Sequence, residues 1–367
     1  MRRIYGIGLN IVGVFATEEE RIKYLIRKRQ LSDDQAKKLI SDDEDDKIDG
    51  GQRTGDSFHL ADVFVDVGTG SDDWKKQLGR FLDLLFSDPY KTPTHDEQAM
   101  FMAHAASFRS AQLGRQVGAA IASDDGDIIA IGCNEVPKAF GGQYWEGDSF
   151  DERDHRKGID SNDQEKNAIL DEIMAVLPLE QRENKAIRSA IRKTSLFSIT
   201  EFGRAAHAEM EALLSCVRKG ISTTDKILYT TTFPCHNCAR HIIGAGIKKV
   251  VYIEPYPKSK AAKLHDDSIT LTEEVRDCPP QHKIPFVPFV GVSPRKYAEL
   301  FTIKPMYGKD VDRKLRSNGS AINWQRTRTG LRLQMMPLSY IEREELAVSH
   351  LAETLEQPPL GFPESQT

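Results

Sequence analysis

Two short stretches constrain this chain more than anything else in it: AHAEMEAL (206–213) and FPCHNCARH (233–241). The second holds a C-x-x-C pair, Cys235 and Cys238, preceded by Pro234. The first holds His207 and Glu209, two positions apart at the start of a helical pattern. Thiolate and imidazole are zinc ligands. A structural zinc site closes with four protein ligands, whereas a catalytic one keeps three and leaves a position open. Cys235, Cys238 and His207 make three. The candidates for a fourth between 200 and 245 are Cys216, His236 and His241. Cys216 lies about 180° around a 3.6-residue helix from His207 and points elsewhere. His236 sits inside the knuckle and His241 a turn later, both readable as ordinary helix residues. The expectation is therefore an open, three-ligand site with one catalytic Zn2+ per chain; a closed structural zinc site is the alternative.

Such a site lowers the pKa of bound water to about 7 and needs a proton shuttle beside it. Glu209 is placed for that role, close to the metal but not one of its ligands. The order H-x-E…P-C-x-x-C is the pattern of zinc nucleobase deaminases, in which the glutamate is the general acid and base for replacing an exocyclic amine by oxygen.

The flanking pattern is that of a layered α/β fold. VGAAIA (117–122), the turn SDDGD and IIAIG (128–132) read as a β-hairpin with an Asp-Gly turn. Helical spacing runs from Asp96 to Leu113. Residues 205–219 read as a helix stopped by Gly220, 227–232 as a strand, 235–245 as a helix stopped by Gly246, and 250–254 as a strand. Between Asn134 and His207 lies an insertion, 138–200, polar and aromatic at first and then helical around 168–191. Towards the N-terminus, Ile4–Phe15 contains an expected buried strand. Helical spacing follows at 18–29 and 33–40, then the acidic run SDDEDDKIDGGQRTG (41–55), then a strand in 61–67. No internal repeat is found. The last 20 residues, with Pro358, Pro359 and Pro363, read as a loose tail.

Composition narrows the function classes. With 367 residues, 39% hydrophobic and 29% charged, the chain has enough apolar residues for a core. The formal charge of −5 does not announce a nucleic-acid binder. No apolar run reaches the roughly 18 residues of a membrane span. The start, MRRIYGIGLNIVGVFA, is basic and then apolar like a signal peptide, but shows no clear cleavage site. Five cysteines, two in metal spacing, point to a reducing cytoplasm. There is no G-x-x-x-x-G-K-[ST] phosphate loop.

Several blocks together resemble the deoxycytidylate deaminase family: QVGAAI (116–121), IGCNEVP (131–137), HAEMEAL (207–213), FPCHNCARHIIGAGIKKVVY (233–252) and PYPKS (255–259), in the family's order over about 96–270. The resemblance implies a cytidine-deaminase-like three-layer α/β/α fold with a mixed sheet. It implies substrate contacts from Gln116, Asn134 (to the sugar), Ala208 (backbone N–H to the pyrimidine carbonyl), and Tyr256 and Lys258 (near the 5′-phosphates). Arg115, beside that first block, is a further candidate for a phosphate. The sequence departs from the family at Cys133, where an aromatic residue is usual, at Glu211, where Asn is usual, and in the length of the 138–200 insertion.

GGQYWEGDSFDERDH (141–155) and VPFVGVSPRKYAELF (287–301) resemble more narrowly the bacterial anti-phage dCTP deaminases, in which a P-loop kinase-like domain precedes the deaminase. Residues 1–75, with GGQRTGDSFHLADVF (50–64), resemble the C-terminal end of such a domain without its P-loop half. The expected organisation is a kinase-like remnant at 1–75, a deaminase domain at 90–300 and a C-terminal extension at 301–367. The function implied is deamination of dCTP, and of dCMP as well, in antiviral defence. Housekeeping dCMP deamination and deamination of cytosine or adenine in nucleic acid are the alternatives. The expected partners are the deoxycytidine nucleotide, further copies of the chain in a homo-oligomer, and an inhibitory RNA or nucleotide regulator, with no membrane. The basic stretch 304–332 carries eight Lys and Arg (304, 309, 313, 314, 316, 326, 328, 332) with Tyr307 and Trp324 interleaved. A triphosphate or RNA site there competes with a solvated face or a subunit contact. For Asp151, Asp154 and His155, a hydrogen-bonded loop is favoured over a second metal or a nucleotide pocket.

Overall fold

The computed structural model describes residues 8–44, 57–68, 73–256, 258–271, 283–305, 310–332 and most of 341–351. Residues 118–122, 128–133, 227–232 and 249–254 form strands β3, β4, β5 and β6 of one sheet. It is completed by β7 (Ile269–Thr270) and β8 (Ile284–Pro288), in the order β4-β3-β5-β6-β8-β7. β3 runs antiparallel to both β4 and β5, and the remaining pairs are parallel, so the sheet is mixed.

Both faces of this sheet are covered, which explains why its strands are apolar runs and not alternating ones. Side chains alternate between the faces. Ala119, Ile121, Leu228, Val250 and Phe286 pack on one side against helices Ala208–Lys219 and His236–Gly244. Ala120, Ala122, Tyr229, Val251 and Val287 pack on the other against helix His95–Ser107. The arrangement is the three-layer α/β/α fold that the sequence implied.

The helix His95–Ser107 starts on a capping box, with Thr94 Oγ1 accepting from the Glu97 amide and Glu97 accepting from the Thr94 amide. It ends at Ser107 and not near Leu113, because the chain turns there to enter β3. Gly118 shows how closely helix and strand approach: a Cβ there would stand 1.9 Å from the Ala103 carbonyl oxygen.

A second sheet of three strands has the order β1 (Val12–Phe15), β2 (Val63–Asp66), β9 (Gly291–Val292). β1 and β2 are parallel and are bridged by helices Glu18–Arg29 and Asp33–Glu44. β2 is buried, but β1 is an edge strand with Val12 39% and Val14 54% exposed. The N-terminal strand is thus half-open, contrary to the buried strand expected. Its third strand comes from residues 291–292, beyond the large sheet. Val63, Val65 and Val292 share a cluster with Phe81, Leu84 and Leu300 from helices Asp73–Leu85 and Pro294–Phe301. Phe64 packs into the same cluster as Met100 and Tyr229. Hydrogen bonds reinforce the junction: buried Glu97 takes both Arg80 nitrogens at 2.6 and 2.8 Å and the Val292 amide at 2.8 Å.

The insertion folds as helices Asp154–Lys157, Ser161–Ala175 and Lys185–Arg192. The single helical stretch expected around 168–191 is broken after Ala175. The second helix starts at Asn184, whose side chain caps it by accepting from the Ala186 and Ile187 amides, and Pro178 stands between the two. The basic stretch packs on the body. Arg313 donates to the Pro89 carbonyl, Arg326 pairs with Asp83, and Arg332 is buried and donates to the Glu299 and Thr302 carbonyls. Lys304, Lys314, Arg316 and Arg328 are exposed. Tyr307 and Lys309, most of the acidic run and the Pro-rich tail lie outside the described residues. No helix among the described residues is long and apolar enough to cross a membrane.

Candidate metal and active site

Two helix N-termini meet at one end of the large sheet. His207 is the N-cap residue of helix Ala208–Lys219, and Cys235 is the N-cap of helix His236–Gly244. Both have extended backbone at the cap, which turns their side chains back over the helix start. Cys235 follows β5 directly across Phe233 and Pro234, whereas His207 is reached from the insertion, its neighbour Ala206 bridging to Glu135 just past β4. Gly132 of β4 lets the first helix seat closely: a Cβ there would meet the Ala208 carbonyl oxygen at 2.3 Å.

His207 Nδ1 lies 3.3 Å from Cys235 Sγ and 3.4 Å from Cys238 Sγ. All three donor atoms fall within 4.8 Å of one another, the only such metal-ligating group among the described residues. The other candidates stand apart. Cys216 is buried among apolar side chains, His236 Nε2 meets Glu201 Oε1 at 3.2 Å, and His241 is exposed. Three ligands on two helix starts are therefore what the structure assembles.

The electrostatics suit a cation. The Cys235 thiol is pushed down to about 4, first by its hydrogen bond with Cys238 and then by His207. Cys238 is held well above its ordinary value, first by Cys235 and by burial. The pair shares a proton that a divalent ion would displace. His207 is pushed up to about 9, above all by its bond to Cys235. One imidazole and two thiols, one already ionised, fit the donor set of a three-ligand zinc site.

Glu209 sits 4% exposed in the first turn of its helix, with Oε2 3.5 Å from Cys238 Sγ. Burial raises its pKa, against the opposing pull of His207. A carboxyl tuned upward beside a metal cluster suits general acid–base work near neutral pH.

A cavity of about 270 Å³ opens onto these groups, lined by His207, Ala208, Glu209 and Cys235, with Thr232, Phe233 and Tyr256. Of the other residues singled out in the sequence, Arg115 and Asn134 also line it. Asn134 is already engaged: its Oδ1 accepts from the Val117 amide at 2.7 Å, and its Nδ2 donates to the Arg115 carbonyl at 2.8 Å. Arg115 pairs with Glu254 at 3.8 Å and lies over the Tyr256 ring. Gln116 is not on the wall; its amide donates to the Ser110 carbonyl at 2.8 Å. Lys258 is exposed and likewise off the wall.

The insertion supplies wall residues that sequence reasoning did not place there, Asp160, Asn162 and Thr200, together with Asp154, weighed earlier for a nucleotide pocket; Gly203, just beyond the insertion, joins them. As expected of a hydrogen-bonded loop, Asp154 accepts from Arg204 at 2.8 Å and Gln112 at 3.2 Å, and Asp151 is clasped by Arg153 and Arg156. The insertion is anchored at both ends. Arg109 donates to Gln143 and to the Tyr144 carbonyl and stacks under Trp145 at 3.7 Å. At the other end Glu201 accepts from Asn237 at 3.2 Å. Fully buried Glu135, directly after Asn134, accepts from the Ala111 and Val136 amides. An acid at that place in an otherwise apolar strand end was the one available signal for it.

The fold thus brings together a His-Cys-Cys group that could hold one zinc ion and a buried carboxyl beside it. Residues 93–254 match the family described as the cytidine and deoxycytidylate deaminase zinc-binding region. ComE operon protein 2 of Bacillus subtilis (strain 168) is 35% identical over 91 residues, 23% of this chain and 48% of that protein. The deoxycytidylate deaminase of Enterobacteria phage T4 is 46% identical over 54 residues, 15% of this chain and 28% of that protein. The chain thus spans half or less of the length of these two relatives. A crystal structure of the dCMP deaminase from cyanophage S-TIM5, in complex with dCMP and dUMP, covers 55% of this chain and 100% of its own at 19% identity and a TM-score of 0.31.

Proposed function

We propose that this protein hydrolytically deaminates free deoxycytidine nucleotides, dCTP and dCMP, to the corresponding deoxyuridine nucleotides. The observation that carries the reading is the buried Glu209 beside the His207, Cys235 and Cys238 cluster, at the floor of a cavity of nucleoside size. When bound, zinc supplies a Lewis-acidic centre and a nucleophilic oxygen at neutral pH. The chain does the rest. His207 and the two cysteines hold the metal. Glu209 Oε2 takes one proton from the attacking water and delivers it to the ring nitrogen, then takes that oxygen's second proton as the carbonyl forms and passes it to the leaving amine, which departs as ammonia. The Ala208 N–H, at the first position of its helix and so without an intrahelical partner, is directed at the pyrimidine carbonyl. Phe233 and Tyr256 supply apolar wall. Arg115 is the cation on the wall available to a 5′-phosphate, and Lys258 lies outside it.

The sequence blocks at 141–155 and 287–301 support dCTP as substrate and depletion of dCTP in antiviral defence as the role. The parallel β1–β2 pair bridged by helices supports reading residues 1–75 as the end of a kinase-like domain. A dCMP-only enzyme is the second reading, favoured by relatives described as deoxycytidylate deaminases and by a wall whose one Lys or Arg among the described residues, Arg115, is already paired with Glu254. Purified zinc-loaded protein offered dCMP, dCTP, CTP and a cytosine-containing single-stranded oligonucleotide decides. Uracil products from the deoxynucleotides alone are expected. Turnover of dCMP without dCTP establishes the second reading, and turnover of the oligonucleotide alone overturns both.

A further inference from the structure

A second hollow, a groove of about 870 Å³, lies beside the small sheet and shares no lining residue with the cavity at His207. β1, the end of β2 and helices Glu18–Arg29 and Asp33–Glu44 wall it. Val14, Tyr24, Leu39 and Val67 line it, and all four are large apolar side chains left exposed. A contiguous apolar surface of this kind marks an interaction face. Its rim is basic. Lys23 pairs with Glu19 at 3.5 Å, but Arg27 and Lys28 have no ion pair among the described residues. The acid that lines the groove, Glu20, is engaged at the helix start, where it accepts from the Thr17 amide and hydroxyl.

The C-terminal part of the chain carries a face of matching character. The described residues between 341 and 351 are helical, and every one is exposed. By the 3.6-residue repeat Ile341, Glu345, Val348 and Leu351 fall on one side of that helix. An isolated helix shorter than roughly 12–15 residues is marginal in water, and packing of an apolar face is what supports it. An acid set among apolar residues suits a groove that is apolar within and basic at its rim. Apolar anchors spaced three, four and seven apart are how a helix seats in such a groove.

The groove of the same chain is within reach. Arg332, the last described residue before the helix, donates its amide to the Leu85 carbonyl at the end of helix Asp73–Leu85. Gln77 of that helix accepts from the Asp66 amide, next to the groove residues Val67 and Gly68. Gln77 and Leu85 lie about 12 Å apart along the helix at 1.5 Å per residue. The chain from 333 to 340 spans up to about 29 Å.

We propose that the helix at 341–351 docks in this groove of its own chain, its apolar side on Val14, Tyr24 and Leu39 and Glu345 against the Arg27 and Lys28 rim. The contact ties the C-terminal extension back to the small sheet.

Hydrogen exchange read by mass spectrometry on the full zinc-loaded chain tests it. The amides of 341–351 are expected to exchange at least about 10-fold more slowly than those of a synthetic peptide of the same residues, which as an isolated short helix is marginal. Leu39→Asp, which alters the groove and leaves the helix untouched, should return them to the peptide rate. Lys28→Glu and Glu345→Lys, both at exposed positions, should each lower the protection about 3-fold, and the double reversal should regain it. The charge pair carries the test if Leu39→Asp folds poorly, which zinc content and the melting temperature report. Peptide-like exchange in wild type, or full protection in Leu39→Asp, overturns the docking. Protection that falls on dilution places the helix in a second copy and overturns the own-chain form. Release of the acidic run 41–55 by Leu39→Asp, with 341–351 unaffected, gives the groove to that run and overturns the proposal.

Discussion

Glu209 Oε2 stands 3.5 Å from Cys238 Sγ, the carboxyl buried and the sulfur on the neighbouring helix start. The contact joins two chain segments that share no local structure, and it puts a buried carboxyl against the metal-ligating group, as a proton carrier in the proposed reaction requires. Glu209→Gln keeps the shape and the hydrogen-bonding capacity but cannot shuttle protons. We expect it to retain zinc and its melting temperature, and to lose deamination by at least the 10²–10⁴-fold typical of general acid–base catalysis. Single-turnover assays on protein of measured zinc content check it.

Zinc removal tests the cluster. Dialysis against a chelator at mildly acidic pH should release one zinc per chain, abolish activity and lower the melting temperature. Metal affinity stabilises the state that binds it. Cys235→Ser should do the same without a chelator. Elemental analysis and calorimetry read both outcomes.

Glu201→Ala should separate activity from stability. Its carboxylate ties the end of the insertion to His236 and Asn237, on the helix that carries Cys238. The contact is exposed, so its loss costs about 0–1 kcal/mol of stability. The cavity wall it braces should loosen, raising KM several-fold with a smaller change in kcat. Steady-state kinetics beside a denaturation curve show the split.

Glu97→Ala should do the reverse. Glu97 is 1% exposed and holds Arg80, the Thr94 amide and the Val292 amide. Removing one partner of a buried ion pair costs about 3–5 kcal/mol. The small sheet is expected to detach or the chain to unfold early in urea, with the midpoint as the measurement.

Cys133 makes the pH prediction. Burial pushes its thiol up to about 11 from 9.0. Between those two values the unfolded chain ionises and the folded one does not, so the unfolded state binds fewer protons and stability falls as pH rises. The contribution is fully present below pH 9 and lost by about 11. Cys133→Ala should show a shallower alkaline decline than wild type in matched denaturation curves. The native thiol should also resist alkylation at pH 8, because the thiolate is the reactive form.

Much of this molecule follows from short-range pattern. The β3–β4 hairpin, β5 at 227–232 and the two helices stopped by Gly220 and Gly246 were legible, because turn chemistry and apolar runs act over a few residues. That His207, Cys235, Cys238 and Glu209 come together was legible for a different reason: their residue types and spacing leave few other chemistries. Tertiary structure alone decided the rest. That β2 pairs with residues 291–292 is a contact between distant parts of the chain, paid in loop entropy and returned by packing that no local window contains. That Asn134 is engaged by the backbone around it, while Asn162 and Thr200 of the insertion come to line the cavity, depends on which segments the packed fold brings within reach of each side chain. Residue type declares a capacity to hydrogen-bond; only three-dimensional placement determines whether that capacity is used by the fold or left for a ligand.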